Sequence, residues 1–237
     1  TGTPIENRLS ELWSIFDFLM PGYLHAYKRF RERFEAPIVQ EADEQARQNL
    51  HLMVAPFILR RMKEDVLDDL PDKIETVLTG EMTAGQAKVY HAYAEKLMAE
   101  TEGDLADPQG RMKLLAGLTR LRQLCCDPRL CLEGYAGGSG KLEQLVDLAR
   151  DMAAQGHRML IFSQFTSMLA LLEDALHEAG LETFKLTGKT GKAERMALVE
   201  RFNGGDTPVF LISLKAGGTG LNLTGADVVI HYDPWWN

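Results

Sequence analysis

The chain has 237 residues, 45% of them hydrophobic, and a formal net charge of -8. That composition suits a globular protein with one large or two smaller domains, and its acidity excludes nucleic-acid binding through a broad positive field, so any such contact has to be local. No apolar run approaches the roughly 20 residues of a membrane span and no secretory signal opens the chain, which reads as cytoplasmic (nucleoid) or nuclear rather than secreted.

Thr1-Gly2-Thr3-Pro4 is turn chemistry with no strand before it, and Trp235-Trp236-Asn237 follows directly on a predicted strand; both ends read as cuts through a longer protein. From Ile5 to about Leu132 the pattern is helical, with Leu9, Leu12, Trp13, Phe16 and Leu19 at three-to-four spacing. Pro21-Gly22, Pro37, Pro56, Pro71 and Asp107-Pro108 mark breaks, and 73–78 is the one strand candidate of this half. The acidic run Glu41-Ala42-Asp43-Glu44 reads as a solvated face. Cys125, Cys126 and Cys131 crowd into one segment without CxxC spacing or a nearby His, so they read as buried structural thiols and no metal site is expected.

The Gly- and Ser-rich stretch 134–140 is the best linker in the sequence, which places a domain boundary between 134 and 135. Beyond it the pattern alternates: helices over 141–154, 167–179 and 192–202, and strands over 159–163, 183–186, 209–213 and 227–232. Strands as continuously apolar as Val209-Phe210-Leu211-Ile212 and Val228-Val229-Ile230 belong to a parallel sheet covered on both faces. The fold class is therefore α/β, a parallel-sheet lobe preceded by a helical subdomain. In such sheets ligands collect beyond the carboxyl ends of the strands, which singles out the loops after Ser163, Leu186, Ser213 and Tyr232.

Two of those loops carry distinctive chemistry. After the 209–213 strand comes Leu214-Lys215-Ala216-Gly217-Gly218-Thr219-Gly220-Leu221-Asn222, whose glycines let backbone N–H groups approach an anion while Lys215 and Thr219 add hydrogen bonds. The other reading of such a stretch is a tight turn. After the last strand comes Asp233-Pro234-Trp235-Trp236-Asn237. Neighbouring residues on an extended strand point to opposite sides, so one Trp faces an interface or a ligand, through inter-lobe packing or through base or sugar contact.

Five segments, in order, resemble those of the Swi/Snf family of DNA translocases within superfamily-two helicases. TGTPIENRLSELW over 1–13 is similar to motif III and its following helix, and PFILRRMKEDVLDDLPDK over 56–73 to the segment linking the two lobes. RMLIFSQFTSMLALLEDAL over 158–176 is similar to motif IV, and Leu186-Thr187-Gly188 through Arg195 and Phe202 to the segment after it. VFLISLKAGGTGLNLTGADVVIHYDPWWN over 209–237 resembles motif V and the aromatic motif beyond it. The resemblance implies a RecA-like second helicase lobe over 135–237, incomplete at its C-terminus, preceded over 1–134 by a motif III remnant and a helical insertion and linking region.

Carried over position by position, the resemblance implies that Ser163, Gln164, Phe165, Thr166, Gly188, Lys215, Gly217 and Thr219 face the DNA backbone. It places Gly218, Gly220 and Asn222 at the ATP cleft and gives Trp235, Trp236, Arg60 and Arg61 a coupling role. Plainer readings stand beside these: Ser163 and Thr166 as helix caps, Gly188 as a turn, and one of Arg60 and Arg61 as part of a solvated face. The implied partners are double-stranded DNA, a first RecA-like lobe of the same polypeptide and a DNA-bound protein substrate. ATP and Mg²⁺ are implied for the whole motor, held mainly by that first lobe, with none expected on this chain alone.

No residue here reads as catalytic. The nearest thing to a Walker loop is Gly137-Gly138-Ser139-Gly140-Lys141, but Tyr135 stands where its first glycine belongs and Leu142 where the metal-binding Ser or Thr belongs. Ser139 reads instead as the N-cap of the helix that follows. No acidic box closes an apolar strand, and the arginines of motif VI are not in the sequence. A non-catalytic DNA- or protein-binding module with the same lobe fold is the alternative reading.

Overall fold

Apolar spacing near the start dictates a small helical cluster. In the computed structural model, which describes residues 3–60, 73–101, 108–217 and 221–234, the chain folds as two units, Thr1–Glu75 and Thr76–Asn237. In the first unit α1 (Leu9–Leu19), α2 (Tyr27–Phe30), α3 (Ala36–Gln40) and α4 (Glu44–Val54) enclose Leu12, Phe16, Leu24, Phe30, Phe34, Leu50 and Val54. Leu19, expected on the same stripe as Leu12 and Phe16, is 65% exposed.

Two breaks expected at prolines take different forms. Pro21-Gly22 ends α1 in a turn with Gly22 at φ +83°, a left-handed conformation that glycine adopts without strain. Pro37 does not break its helix. Lacking an N–H and crowding the carbonyl four residues back, it is accommodated by a π-helical turn at Arg31–Glu35, where Ala36 N donates to Arg31 O. The acidic run does more than solvate a face, because Asp43 caps α4 by accepting from Gln45 N at 2.8 Å and Ala46 N at 3.1 Å.

The strand expected over 73–78 does not form, and residues 73–83 are neither helix nor strand. Ile74 and Val77 are 89% and 90% exposed, and no strand among the described residues lies beside them to complete a ladder.

In the second unit α5 (Ala84–Thr101) and α6 (Pro108–Cys126) pair and lead into α7 (Gly140–Ala154), β1 (Met159–Ser163), α8 (Thr166–Glu178), β2 (Thr183–Leu186), α9 (Lys192–Gly204), β3 (Val209–Ser213), α10 (Leu214–Gly217) and β4 (Val228–His231). The strands form one parallel sheet in the order β2-β3-β1-β4. Alternate residues point to opposite faces. Met159, Ile161, Val209, Leu211 and Tyr232 join α7 and α8 in one core; Leu160, Phe210, Ile212 and Leu186 join Phe202 of α9 in the other.

The stretch 134–140 lies inside this second unit and is held there. Thr83 Oγ1 donates to Gly137 O at 2.8 Å, and a Cβ at Gly140 would lie 2.0 Å from Glu81 O, so only glycine lets the two backbones approach. Gln86, 1% exposed, donates to Leu124 O at 2.8 Å and to Cys125 O at 3.2 Å, and accepts from Gly140 N at 3.3 Å. The buried Cys126 carbonyl accepts from Ser139 Oγ at 2.8 Å and from Tyr232 Oη at 2.9 Å. These bonds dock the α5–α6 pair onto the sheet, and Ser139 is indeed the N-cap of α7, accepting from Leu142 N at 3.4 Å.

Candidate nucleic-acid interface

Because the four strands are parallel, their carboxyl ends line one edge of the sheet. Ser163 pairs in register with Ser213, so the turn after β1 and the segment after β3 begin side by side, about 4.8 Å apart as neighbouring strands are. On the other side of β3, Leu186 pairs with Ile212, which brings Gly188 out at the same edge. The edge therefore gathers Ser163, Gln164, Phe165, Thr166, Gly188, Lys215 and Gly217 from three segments separated in sequence.

Each has its own local cause. Ser163 is fully buried, and its hydroxyl accepts from Phe165 N at 3.1 Å, closing the turn ahead of α8. Thr166 is exposed and is the first residue of α8; the N-cap position belongs to Phe165, which offers no capping side chain. Gly188 is exposed, its φ is not positive, and an added Cβ meets nothing within 4 Å, so the turn does not require glycine there. That turn is built by Thr187 and Thr190, the Thr190 hydroxyl accepting from Thr187 N at 3.1 Å.

The segment after β3 begins not as a loop but as the short helix α10, with Lys215 exposed and Ala216 buried. Gly217 is sterically required, because a Cβ there would lie 2.7 Å from both Ile212 Cγ2 and Phe162 Cε1. Asn222 is exposed and Arg60 is exposed in the first unit. Arg61, Gly218, Thr219, Gly220, Trp235 and Trp236 lie outside the described residues.

Four residues that support this edge had no role assigned from sequence. Arg195 Nη1 donates to Ala216 O at 3.2 Å, bracing α10 from α9. Asn203 donates to Asn222 O at 2.8 Å and accepts from Gly225 N at 3.0 Å, pinning the return to β4. Asp233, 4% exposed, accepts from Gln164 N at 3.0 Å. Arg122 donates to Pro234 O at 2.9 Å from 112 residues away. Local pattern carries no signal for a bond of that span. Asn203, followed by Gly204-Gly205, carried a weak one, since Asn before glycines marks turn chemistry.

Burial raises the Asp233 carboxyl above its ordinary range, against the opposing pull of Ser163, Gln164 N–H, Lys141 and Arg122. Burial also raises all three thiols, Cys126 to about 12, so they stay protonated near neutrality. Lys215 is exposed at the same edge, with Lys189 exposed in the β2–α9 connection and Lys192 exposed at the first position of α9. A local cationic rim thus stands on an acidic chain.

ATP with Mg²⁺ is the cofactor set the family resemblance implies. Among the described residues no group of three His, Cys, Asp or Glu is placed to hold a metal ion, and of the residues expected at the nucleotide only Asn222 is described. The described residues do not by themselves fit a nucleotide-metal site.

Residues 1–130 match the family model of the SNF2-related domain, and residues 140–237 match that of the helicase conserved C-terminal domain. The chain belongs to the SNF2 family. This SNF2 chain is 42% identical over 248 residues to the putative ATP-dependent helicase/translocase YwqA of Bacillus subtilis, across 100% of itself and 26% of that protein. It is 37% identical over 252 residues to the ISWI chromatin-remodeling complex ATPase CHR17 of Arabidopsis thaliana, across 100% of itself and 23% of that protein. Among solved structures it resembles the SWI2/SNF2 ATPase core of Sulfolobus solfataricus in complex with dsDNA, with a TM-score of 0.63 and 34% identity over 100% of this chain and 51% of that one. The C-terminal domain of a Sulfolobus solfataricus SWI2/SNF2 ATPase gives a TM-score of 0.63 and 32% identity over 70% of this chain and 74% of that one. The SNF2 chain spans about a quarter of the length of these curated relatives, 26% and 23%. Its RecA-like fold is that of the SNF2 ATPase lobes.

Proposed function

We propose that this chain is the second-lobe portion of an ATP-dependent motor that moves along double-stranded DNA by gripping its backbone, without needing to separate the strands. The observation that carries the reading is the convergence of Ser163–Thr166, Gly188 and Lys215 on one carboxyl edge of a parallel sheet. The exposed Thr166 hydroxyl and the exposed Lys215 ammonium suit phosphates rather than bases, so the grip is independent of sequence. A Sulfolobus solfataricus relative solved with dsDNA supports the choice of ligand.

In this reading Gly218, Gly220 and Asn222 approach the nucleotide, and Trp235 and Trp236, with Arg60 and Arg61, couple its hydrolysis to movement on DNA. A first RecA-like lobe of the same polypeptide holds most of the ATP and Mg²⁺, and a DNA-bound protein complex in the nucleus or nucleoid is the load. In this reading the linking region gives way to the lobe between 134 and 135, whereas packing divides the chain between 75 and 76.

Triplex displacement tests movement directly. The intact motor is expected to displace a third strand from duplex DNA while leaving a forked duplex paired; unwinding of the fork at a comparable rate would make it a strand-separating helicase. Lys215→Ala in that motor is expected to weaken DNA binding alike for all sequences and to make the slope of log affinity against log salt shallower by about 0.9, the share of one phosphate contact. An unchanged slope would take Lys215 off the phosphate.

A further inference from the structure

The turn after β1 and the segment after β4 are fastened to each other and to α6. Asp233 Oδ2 accepts from Gln164 N at 3.0 Å. Arg122 of α6 donates through Nη2 to Pro234 O at 2.9 Å and stands over the Phe165 ring, 5.9 Å from its centroid. With its amide oxygen turned to the guanidinium, Gln164 also accepts from Arg122 Nη1 at 2.7 Å and Nη2 at 2.9 Å. A planar fork with five donors and a face for an aromatic ring can satisfy these partners together, which a lysine cannot.

The platform behind Arg122 is itself cross-bonded. One turn further along α6, the Cys126 carbonyl takes the Tyr232 and Ser139 hydroxyls, so the end of α6 is tied to the end of β4 immediately before Asp233. Two moving parts of the proposed motor thus share one anchor on a helix that touches neither DNA nor nucleotide in that proposal.

We infer that Arg122 is a positioning residue that holds the DNA-facing turn Ser163–Thr166 and the segment entering Trp235 and Trp236 in one mutual arrangement, so that displacing either displaces the other. The inference rests on the roles proposed above for that turn and for the tryptophans. It gives α6 a mechanical role, that of carrying the joint between grip and coupling.

The test uses the intact motor with Arg122→Ala, Arg122→Lys and, as a control on the same helix, Arg120→Ala, whose guanidinium instead reaches Cys131 O at 3.2 Å. Arg122→Ala is expected to speed amide hydrogen exchange of residues 163–166, 232 and 233 by about tenfold, leaving the core of β1 and α8 protected. Base pairs moved per ATP, from triplex displacement, should fall severalfold while ATP turnover at saturating DNA changes less than twofold. Arg122→Lys should recover only part of the protection, and Arg120→Ala should match the unmodified motor. Unchanged exchange at both segments, or a rise spread evenly through the unit, overturns the inference. If Trp235→Ala with Trp236→Ala lowers base pairs per ATP but Arg122→Ala does not, the inference falls alone. If exchange rises locally and neither set of variants alters base pairs per ATP, Arg122 keeps its positioning role and the coupling proposed for the tryptophans falls.

Discussion

Purified as the 237-residue chain, the protein is expected to release no phosphate from ATP above background, with or without duplex DNA. A P-loop needs its glycines at the carboxyl end of a strand, free backbone N–H groups to cradle phosphates, and a hydroxyl for Mg²⁺. Gly137-Gly138-Ser139-Gly140-Lys141 fails each requirement. No strand precedes it among the described residues, because it opens α7, which itself comes before β1. Gly140 N is engaged by Gln86 Oε1 at 3.3 Å, and Ser139 Oγ is spent on Cys126 O and Leu142 N. Lys141 Nζ stands over the Tyr232 ring, 5.0 Å from its centroid.

Lack of the motif VI arginine that the family resemblance implies would alone set the scale of this loss. An arginine that stabilises transition-state charge is worth about 10³ to 10⁵ in rate, and the nucleotide and metal groups come on top of that. DNA-stimulated phosphate release within about a hundredfold of an intact SNF2 motor would defeat this expectation and require a nucleotide site elsewhere in the chain.

The two inner strands were legible because buried parallel strands leave an unbroken apolar signature, whereas the edge strand β4, expected to be covered on both faces, leaves Val229 55% exposed. Val209-Phe210-Leu211-Ile212 is fully buried, and β3 begins and ends where that run and its following Ser213 predict. Strand order was not legible, since apolar runs say nothing about which neighbour each strand takes. The segment 73–78 shows the limit of local pattern: Ile74, Val77 and Leu78 look like a strand but find no ladder partner. The linker reading of 134–140 rested on glycine content, which marks flexible connectors and tight backbone packing alike; here Gly140 serves the second purpose. At the site, residues that face outward from loops were visible by type, whereas Arg122 and Asp233 act through partners 112 and 69 residues away.

Phe202→Ala is expected to cost about 3 to 5 kcal/mol of unfolding free energy, read as a lower urea midpoint, because it empties a large buried site. Phe202 is fully buried, with its ring centroid 5.1 Å from that of Phe210 and 6.4 Å from that of Phe184. The Arg158 guanidinium stands 4.3 Å from the Phe202 ring centroid. Leu52→Ala, at a side chain 72% exposed, should shift stability by less than about 0.5 kcal/mol and serves as the comparison. A loss below about 1 kcal/mol at Phe202 would mean that this face of the sheet is not packed as described. The same aromatic cluster supports the proposed DNA edge. Asn203 follows Phe202 directly and pins Asn222 and Gly225, while Ala216, packed into that core, is the neighbour of Lys215. If the core aims Lys215, Phe202→Ala should weaken DNA binding by the intact motor even in the folded state, and Lys215→Ala should then add less than it does alone. Full additivity of the two substitutions would instead mean that Lys215 is placed by its own short helix, independently of the core beneath it.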